Sequence, residues 1–197
     1  MSPVAMPTLP GFIRARFGLR TNTQRFESPI SRDVQTVELL GARWFATFEP
    51  PELVPDEAGE WKAFLIDVGG AGRFIAFDPA RTTPRGTGSG SPLVKGSGQS
   101  GIEIDTDGWA ANEAVLLKGD YFSIGGELKM VTVDVMSDGA GNATLRYRPA
   151  LRASPADDAP ITVDNPTCVM RFIDDEQAVW DEARTLTRLQ FSAIEVW

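Results

Sequence analysis

The chain has 197 residues, 42% of them apolar and 23% charged, proportions of a folded soluble protein with room for one sizeable core or two small lobes. Its formal net charge is −8 and no run of Lys or Arg exceeds a pair. That speaks against nucleic acid as the main partner, since phosphate binding needs a concentrated basic footprint. Histidine is absent, which removes the commonest general base, the Ser-His and Cys-His pairs and most zinc sites.

Residues 1–32 carry four prolines and no sustained period, and read as an extended arm with a strand at Phe12 to Phe17. Phe12, Phe17 and Phe26 give the arm apolar weight that packing on a neighbouring subunit would use. Val34 to Leu40 and Arg43 to Phe48 read as two strands of a hairpin about Gly41-Ala42, stopped by Pro50-Pro51. Ala58, Trp61, Phe64, Leu65 and Val68 then recur as one helical stripe. Asp56 is its expected N-cap and Gly69-Gly70 its stop. Trp61 and Phe64 are expected in the core, and Arg73 to Phe77 forms the next strand.

Residues 78–101 are dominated by Gly, Ser, Thr and Pro, the composition of a long flexible loop. Lys95 lies in it, but the order of residues around it is wrong for a phosphate loop. Ile102 and Ile104 suggest a short strand before a turn at Asp105-Thr106-Asp107-Gly108. That turn lacks the further oxygens and closing Glu of a calcium loop, as does the Ser-Asp-Gly-Ala-Gly-Asn turn at 137–142.

Val115 to Pro149 reads as a β-meander. Gly119-Asp120, Gly125-Gly126 and residues 137–142 are its turns, and Tyr121–Ile124, Leu128–Met136 and Ala143–Arg148 its strands. Val131, Val133 and Val135 are expected on one face of the long strand. Residues 151–165 are polar, with a short strand at Ile161–Val163. Thr167 to Ile173 is a strand in which Cys168, the single cysteine, reads as a buried inert thiol. Asp174-Asp175-Glu176 marks a solvated turn, and 176–184 a weak helix. Leu186 to Trp197 closes the chain as a strand with a bulge near Ala193 and a buried Trp197.

These elements predict a mainly β fold, a sandwich or flattened barrel, with one clear helix at about 56–68 and the long Gly/Ser loop. The partition is an arm (1–32), a first β lobe with the helix (33–77 plus 166–197), a loop (78–101) and a meander lobe (102–165). Neither a signal peptide nor a membrane helix is read, so assembly in a reducing cytoplasm is expected.

Three segments together resemble tail-tip proteins of long-tailed bacteriophages. The first is Trp44 to Pro79, with its strand, Pro-rich turn, acidic helix start, Ala-Phe-Leu and Phe-rich strand ending in Asp-Pro. The second is Lys95 to Gly108. The third is Leu117 to Leu151, with Lys118-Gly119-Asp120, Gly125 and the Asp138–Ala143 turn before Pro149-Ala150-Leu151. The resemblance implies a structural virion role, as a distal tail protein or neighbouring minor tail component. Such proteins form a hexameric ring that joins the tail tube protein to the hub or baseplate, built from a β-sandwich and helix and carrying no catalytic residues.

The chain's own residues accordingly assign no catalytic, cofactor-binding or metal site, no membrane partner and no specific nucleic-acid binding. Two other readings stand beside it. One is a carbohydrate- or receptor-binding module using Trp109 and Tyr121 as platforms. The other is a carboxylate-dependent hydrolase using two of Asp105, Asp107, Asp174 and Asp175.

Overall fold

The structure, a computed structural model, describes residues 2–196. In chain order the elements are β1 (Val4–Ala5), β2 (Arg14–Glu27), β3 (Val34–Glu49), α1 (Pro55–Val68), β4 (Phe74–Ala76), β5 (Gly90–Val94), β6 (Glu103–Trp109) and β7 (Ala114–Leu116). They continue with β8 (Tyr121–Ile124), β9 (Glu127–Val131), β10 (Val135–Met136), β11 (Ala143–Arg148), β12 (Cys168–Phe172), β13 (Trp180–Ala183), β14 (Leu186–Leu189) and β15 (Phe191–Glu195). The fold is mainly β, 45% strand and 7% helix, with one helix and curled sheets that include a half-barrel.

A six-stranded sheet runs in the order β1-β4-β12-β15-β3-β2, and a five-stranded sheet in the order β5-β6-β11-β9-β8. Alternation sends Phe74 and Ala76, Cys168, Met170 and Phe172, Phe191 and Ala193, and Trp44, Ala46 and Phe48 to one face of the larger sheet. Helix α1 lays Trp61, Phe64 and Leu65 across that face. Phe64 meets Phe74 edge-on at 5.4 Å, and Trp61 lies 5.9 Å from Phe191. The Trp61 indole N–H donates to the Leu9 carbonyl at 3.0 Å, so its polar atom is satisfied within the core.

The helix covers only part of the face. The β8–β9 hairpin covers the rest, with Tyr121 edge-on to Trp44 at 5.5 Å and the Trp44 indole N–H donating to the Leu128 carbonyl at 2.8 Å. The other side of the five-stranded sheet encloses a second apolar cluster around Ile104, Leu116, Phe122, Leu145 and Tyr147.

Several elements differ from the sequence expectation. Residues 34–49 are one continuous strand, and its hairpin partner is β2, within the expected arm. The Gly/Ser segment contains β5, paired with β6, and the expected turn at 105–108 lies inside β6. Gly108 (φ 76°) stands there opposite the bulged pair Ser91-Pro92 of β5, and a Cβ on it would stand 2.4 Å from the Ser91 carbonyl oxygen. The helix begins at Pro55 with Val54 as N-cap, whose N–H donates to the Glu57 carboxylate at 3.2 Å. Proline suits the first helical position because it has no N–H to leave unsatisfied.

The long strand expected to Met136 stops at Val131. Asp134 there turns out to accept from the Lys118 N–H at 2.8 Å, leaving Val133 exposed. Residues 180–183 are strand, paired with β14, rather than helix. No bulge interrupts β15, because Glu195 takes the next buried position and keeps the period of two. Trp197 lies outside the described residues.

Trp61 sits at the junction of the arm, the helix and the sheet. Trp61→Ala is expected to cost about 3–5 kcal/mol through lost burial and the cavity left behind. Urea unfolding followed by circular dichroism measures this, and a loss below about 1 kcal/mol would contradict the packing described.

Candidate assembly surface

Strands β2 and β3 run as one antiparallel ladder from Arg14 opposite Glu49 to Arg20 opposite Arg43. There the register shifts, and Leu40, Gly41 and Ala42 stand opposite the single residue Thr21. Gly41 has φ 106°, a conformation glycine accepts at no steric cost, and the Asn22 amide donates to the Leu40 carbonyl at 2.8 Å. Pairing resumes from Asn22 opposite Leu39 to Glu27 opposite Val34. The turn is closed by the Ser28 N–H on the Asp33 carbonyl and the Arg32 N–H on the Ser28 carbonyl, each at 2.9 Å.

Past the shift the two strands stand alone. Strand β15 pairs with β3 only along Phe45–Phe48, so the distal ribbon has two free edges. Except for Ser28, every residue from Arg20 to Leu40 is exposed.

Cross-strand pairing divides the ribbon into two unlike sides. Asn22, Gln24 and Phe26 with Leu39, Val37 and Gln35 make one side, without a charge. Thr23, Arg25 and Glu27 with Glu38, Thr36 and Val34 make the other, with three charges. Phe26 is 59% exposed, Val37 48%, and Ile30 at the tip 94%. A two-stranded ribbon in water is marginal by itself, and this one leaves its apolar side uncovered.

Towards the body the same side changes character. The face of the six-stranded sheet turned away from the aromatic core carries Arg14, Arg16 and Arg20 from β2, Arg43 from β3 and Arg171 from β12. The one carboxylate among these strand positions is Glu49, 3.9 Å from Arg14. Gly18 lies beneath the Phe45 ring, where a Cβ would approach it to 2.7 Å, and the Arg16 guanidinium stands 5.9 Å from that ring's centre. The arginines are never adjacent in sequence. Their visible signal is the period of two in Arg14-Ala15-Arg16, taken up again at Arg20, which places them on one side of a strand.

A buried ionic seam joins the two sheets. Glu195, fully buried on β15, accepts from the Trp44 N–H at 3.1 Å and from the Arg152 guanidinium at 2.5 Å. Arg152 also lies 3.3 Å from Glu127, which accepts from the fully buried Lys129 ammonium at 2.6 Å. Lys129 donates in addition to the Ala150 carbonyl at 2.9 Å. Burial pushes the Glu195 carboxyl above its ordinary value despite Arg152. Burial would do the same to Glu127, but Lys129 and Arg152 outweigh it and hold that carboxyl low.

The residues singled out in the sequence do not converge. Asp105 accepts from the Thr144 hydroxyl at 2.6 Å on the five-stranded sheet, and Asp107 follows on the same strand. Asp174 accepts from the Gln177 amide at 2.6 Å in the turn after β12, next to Asp175, so the two acidic pairs belong to different sheets. Lys95 donates to the Asn142 side-chain amide oxygen at 2.8 Å, and Asp138 closes its own turn by accepting from the Ala140 and Asn142 N–H groups at 2.8 Å. Among the described residues no three Asp, Glu or Cys side chains group as metal ligands. Trp109 and Tyr121 are each 5% exposed; the first donates its indole N–H to the Thr106 hydroxyl at 2.8 Å, and neither presents a platform. Cys168 is buried, and that burial raises its thiol pKa. The chain matches none of the protein-family models compared with it, and none of the curated proteins.

Asp120 holds the Gly/Ser segment in place. Its carboxylate accepts from the N–H groups of Leu117 at 2.8 Å and of Arg85 and Gly86 at 3.0 Å, and from the Arg85 guanidinium at 3.3 Å. Burial alone would raise its pKa; these donors outweigh burial and lower it. A carboxyl lowered by folding adds stability that is present above its unfolded pKa, about 4, and lost as pH falls through the folded value. Asp120→Asn is therefore expected to cost about 1–3 kcal/mol at pH 7 and to flatten the fall in stability below about pH 4. Urea titrations at pH 7 and across the acid range check both, and an unchanged acid slope would rule out this role for Asp120.

Proposed function

We propose that the chain is a structural subunit of a bacteriophage tail, a distal-tail or tail-tip ring component that joins the tail tube to the hub. The observation that carries this reading is the projecting β2–β3 ribbon, which has two free edges and an uncharged side bearing Phe26, Val37 and Leu39. Such a ribbon is completed by another subunit, through edge pairing and burial of its apolar side. The resemblance of residues 44–79, 95–108 and 117–151 to tail-tip proteins supplies the context. The subunit meets copies of itself in a ring, a hexamer by that resemblance, with the tail tube protein on one side and hub proteins on the other. It is made in the host cytoplasm and ends in the virion. Dispersal of its carboxylates over two sheets and its lack of histidine favour this role over catalysis.

Phe26→Asp with Leu39→Asp tests the ribbon. Both side chains are exposed, so the folded subunit is expected to keep its melting temperature within a few degrees, about the effect of surface changes worth 0.5 kcal/mol. Ring-sized species, formed alone or on mixing with tail tube protein, are expected to disappear from light scattering and electron micrographs. A wild-type chain that stays monomeric with tail tube protein present, or a variant that assembles normally, would overturn the reading.

A further inference from the structure

Helix α1 and the arginine-bearing face lie on opposite sides of the six-stranded sheet, because the helix packs on the aromatic side and the arginines alternate to the other. The solvent side of α1 carries Asp56, Glu60 and Asp67, spaced so that they share one stripe, with Gly59 and Ala63 among them. A Cβ added to Gly59 would meet nothing within 4 Å, so the stripe is low and open to close approach. The layer is thus acidic on its helix side and basic on its sheet side.

The helix side carries a charge arrangement that the isolated subunit does not favour. Asp67 lies in the last helical turn, where the helix dipole disfavours an anion, and that turn has no basic residue. A cation against that turn would relieve it. The net charge of −8 includes the arginine face, so the remaining surface is more acidic than that figure conveys.

We propose that subunits associate head to tail, the acidic stripe of α1 in one copy docking on the Arg14/Arg16/Arg20 face of the next. The inference rests on the reading that the chain assembles with copies of itself, and it names the two surfaces. The contact is heterologous, because the two surfaces differ and lie on opposite sides of one layer; repeated, it closes a ring or extends a filament. The uncharged side of the ribbon continues the arginine side of β2, so each docking also brings Phe26 and Leu39 toward the neighbouring copy. Charge steers and registers the encounter, and the apolar ribbon adds burial.

Charge reversal tests this on the full chain by sedimentation velocity over a range of sodium chloride. Wild-type association is expected to weaken as salt rises through the range where the Debye length falls to about 3 Å, near 1 M. Arg16→Glu with Arg20→Glu, and separately Glu60→Lys with Asp67→Lys, are each expected to weaken it at low salt by about tenfold or more. An equimolar mixture of the two variants is expected to assemble again, since each reversed face then meets a complementary one, a rescue that misfolded variants would not give. Arg16→Gln with Arg20→Gln should fall between wild type and reversal. Assembly of wild type that ignores both salt and reversal would overturn this docking mode while leaving the ring reading intact. Loss of binding to a DNA duplex in the sheet-face variants, with self-association unchanged, would overturn it in favour of a nucleic-acid occupant. A wild type that assembles with neither itself nor tail tube protein would overturn both readings.

Discussion

A sheet buries only the face that something covers, and in this chain two separate pieces cover one face between them. Helix α1 takes the end lined by Phe48, Phe74, Phe172 and Phe191, and the β8–β9 hairpin takes the end lined by Phe17 and Trp44. One 14-residue helix is about 21 Å long and roughly 10 Å wide, too small to cover six strands, each about 4.8 Å from the next. The second sheet therefore completes the first core, which is why Tyr121 and Leu128 belong to a cluster drawn mainly from the six-stranded sheet and its helix. What remains open is the opposite face, and the fold puts its arginines there.

The ionic seam follows from that arrangement. Where the hairpin meets the sheet, Glu195 continues the inward alternation of β15 and would be a buried anion without Arg152. Arg152 in turn meets Glu127, and Glu127 meets Lys129, so two acids and two bases neutralise one another across the joint. Buried pairs contribute little net stability when their desolvation is counted, but they are demanding about geometry. The seam therefore fixes how the second sheet docks on the first more than it strengthens the docking, which is left to the aromatic contacts around Trp44.

Local signals were readable in proportion to how local their causes are. The helix stripe, the glycine turns at 119 and 125, the Asp138 turn and the alternation of Ala143–Arg148 depend on neighbours a few residues away, and the structure contains each. Gly41 and Gly108 looked like turns because positive φ is the same local request whether the chain reverses or bulges; only the partner strand decides between them. The last strand suggests a bulge near Ala193 because a carboxylate, Glu195, holds the next inward position and its partner lies 43 residues back in the chain. The sequence at 180–183 suggests a weak helix for a similar reason, since the pairing with β14 is what orders it as a strand. The arginine face was hidden by counting charges along the chain, when a strand sorts them by every second residue.

The register shift at Thr21 joins these threads. On β3, three residues stand opposite one, an excess of two, and an even excess returns each strand to its original side. An excess of one would have paired Asn22 with Leu40 and moved Val37 and Leu39 to the side opposite Phe26 and the arginines. With two, even-numbered positions of β2 run from Arg14 through Arg20 to Phe26 along one side, paired with odd-numbered positions of β3 from Glu49 to Gln35. The bulge bends and twists the ribbon away from the body without changing which side it presents. One strand thus carries a basic surface at its root and an apolar surface at its end, facing the same way, and a partner that meets the first is within reach of the second.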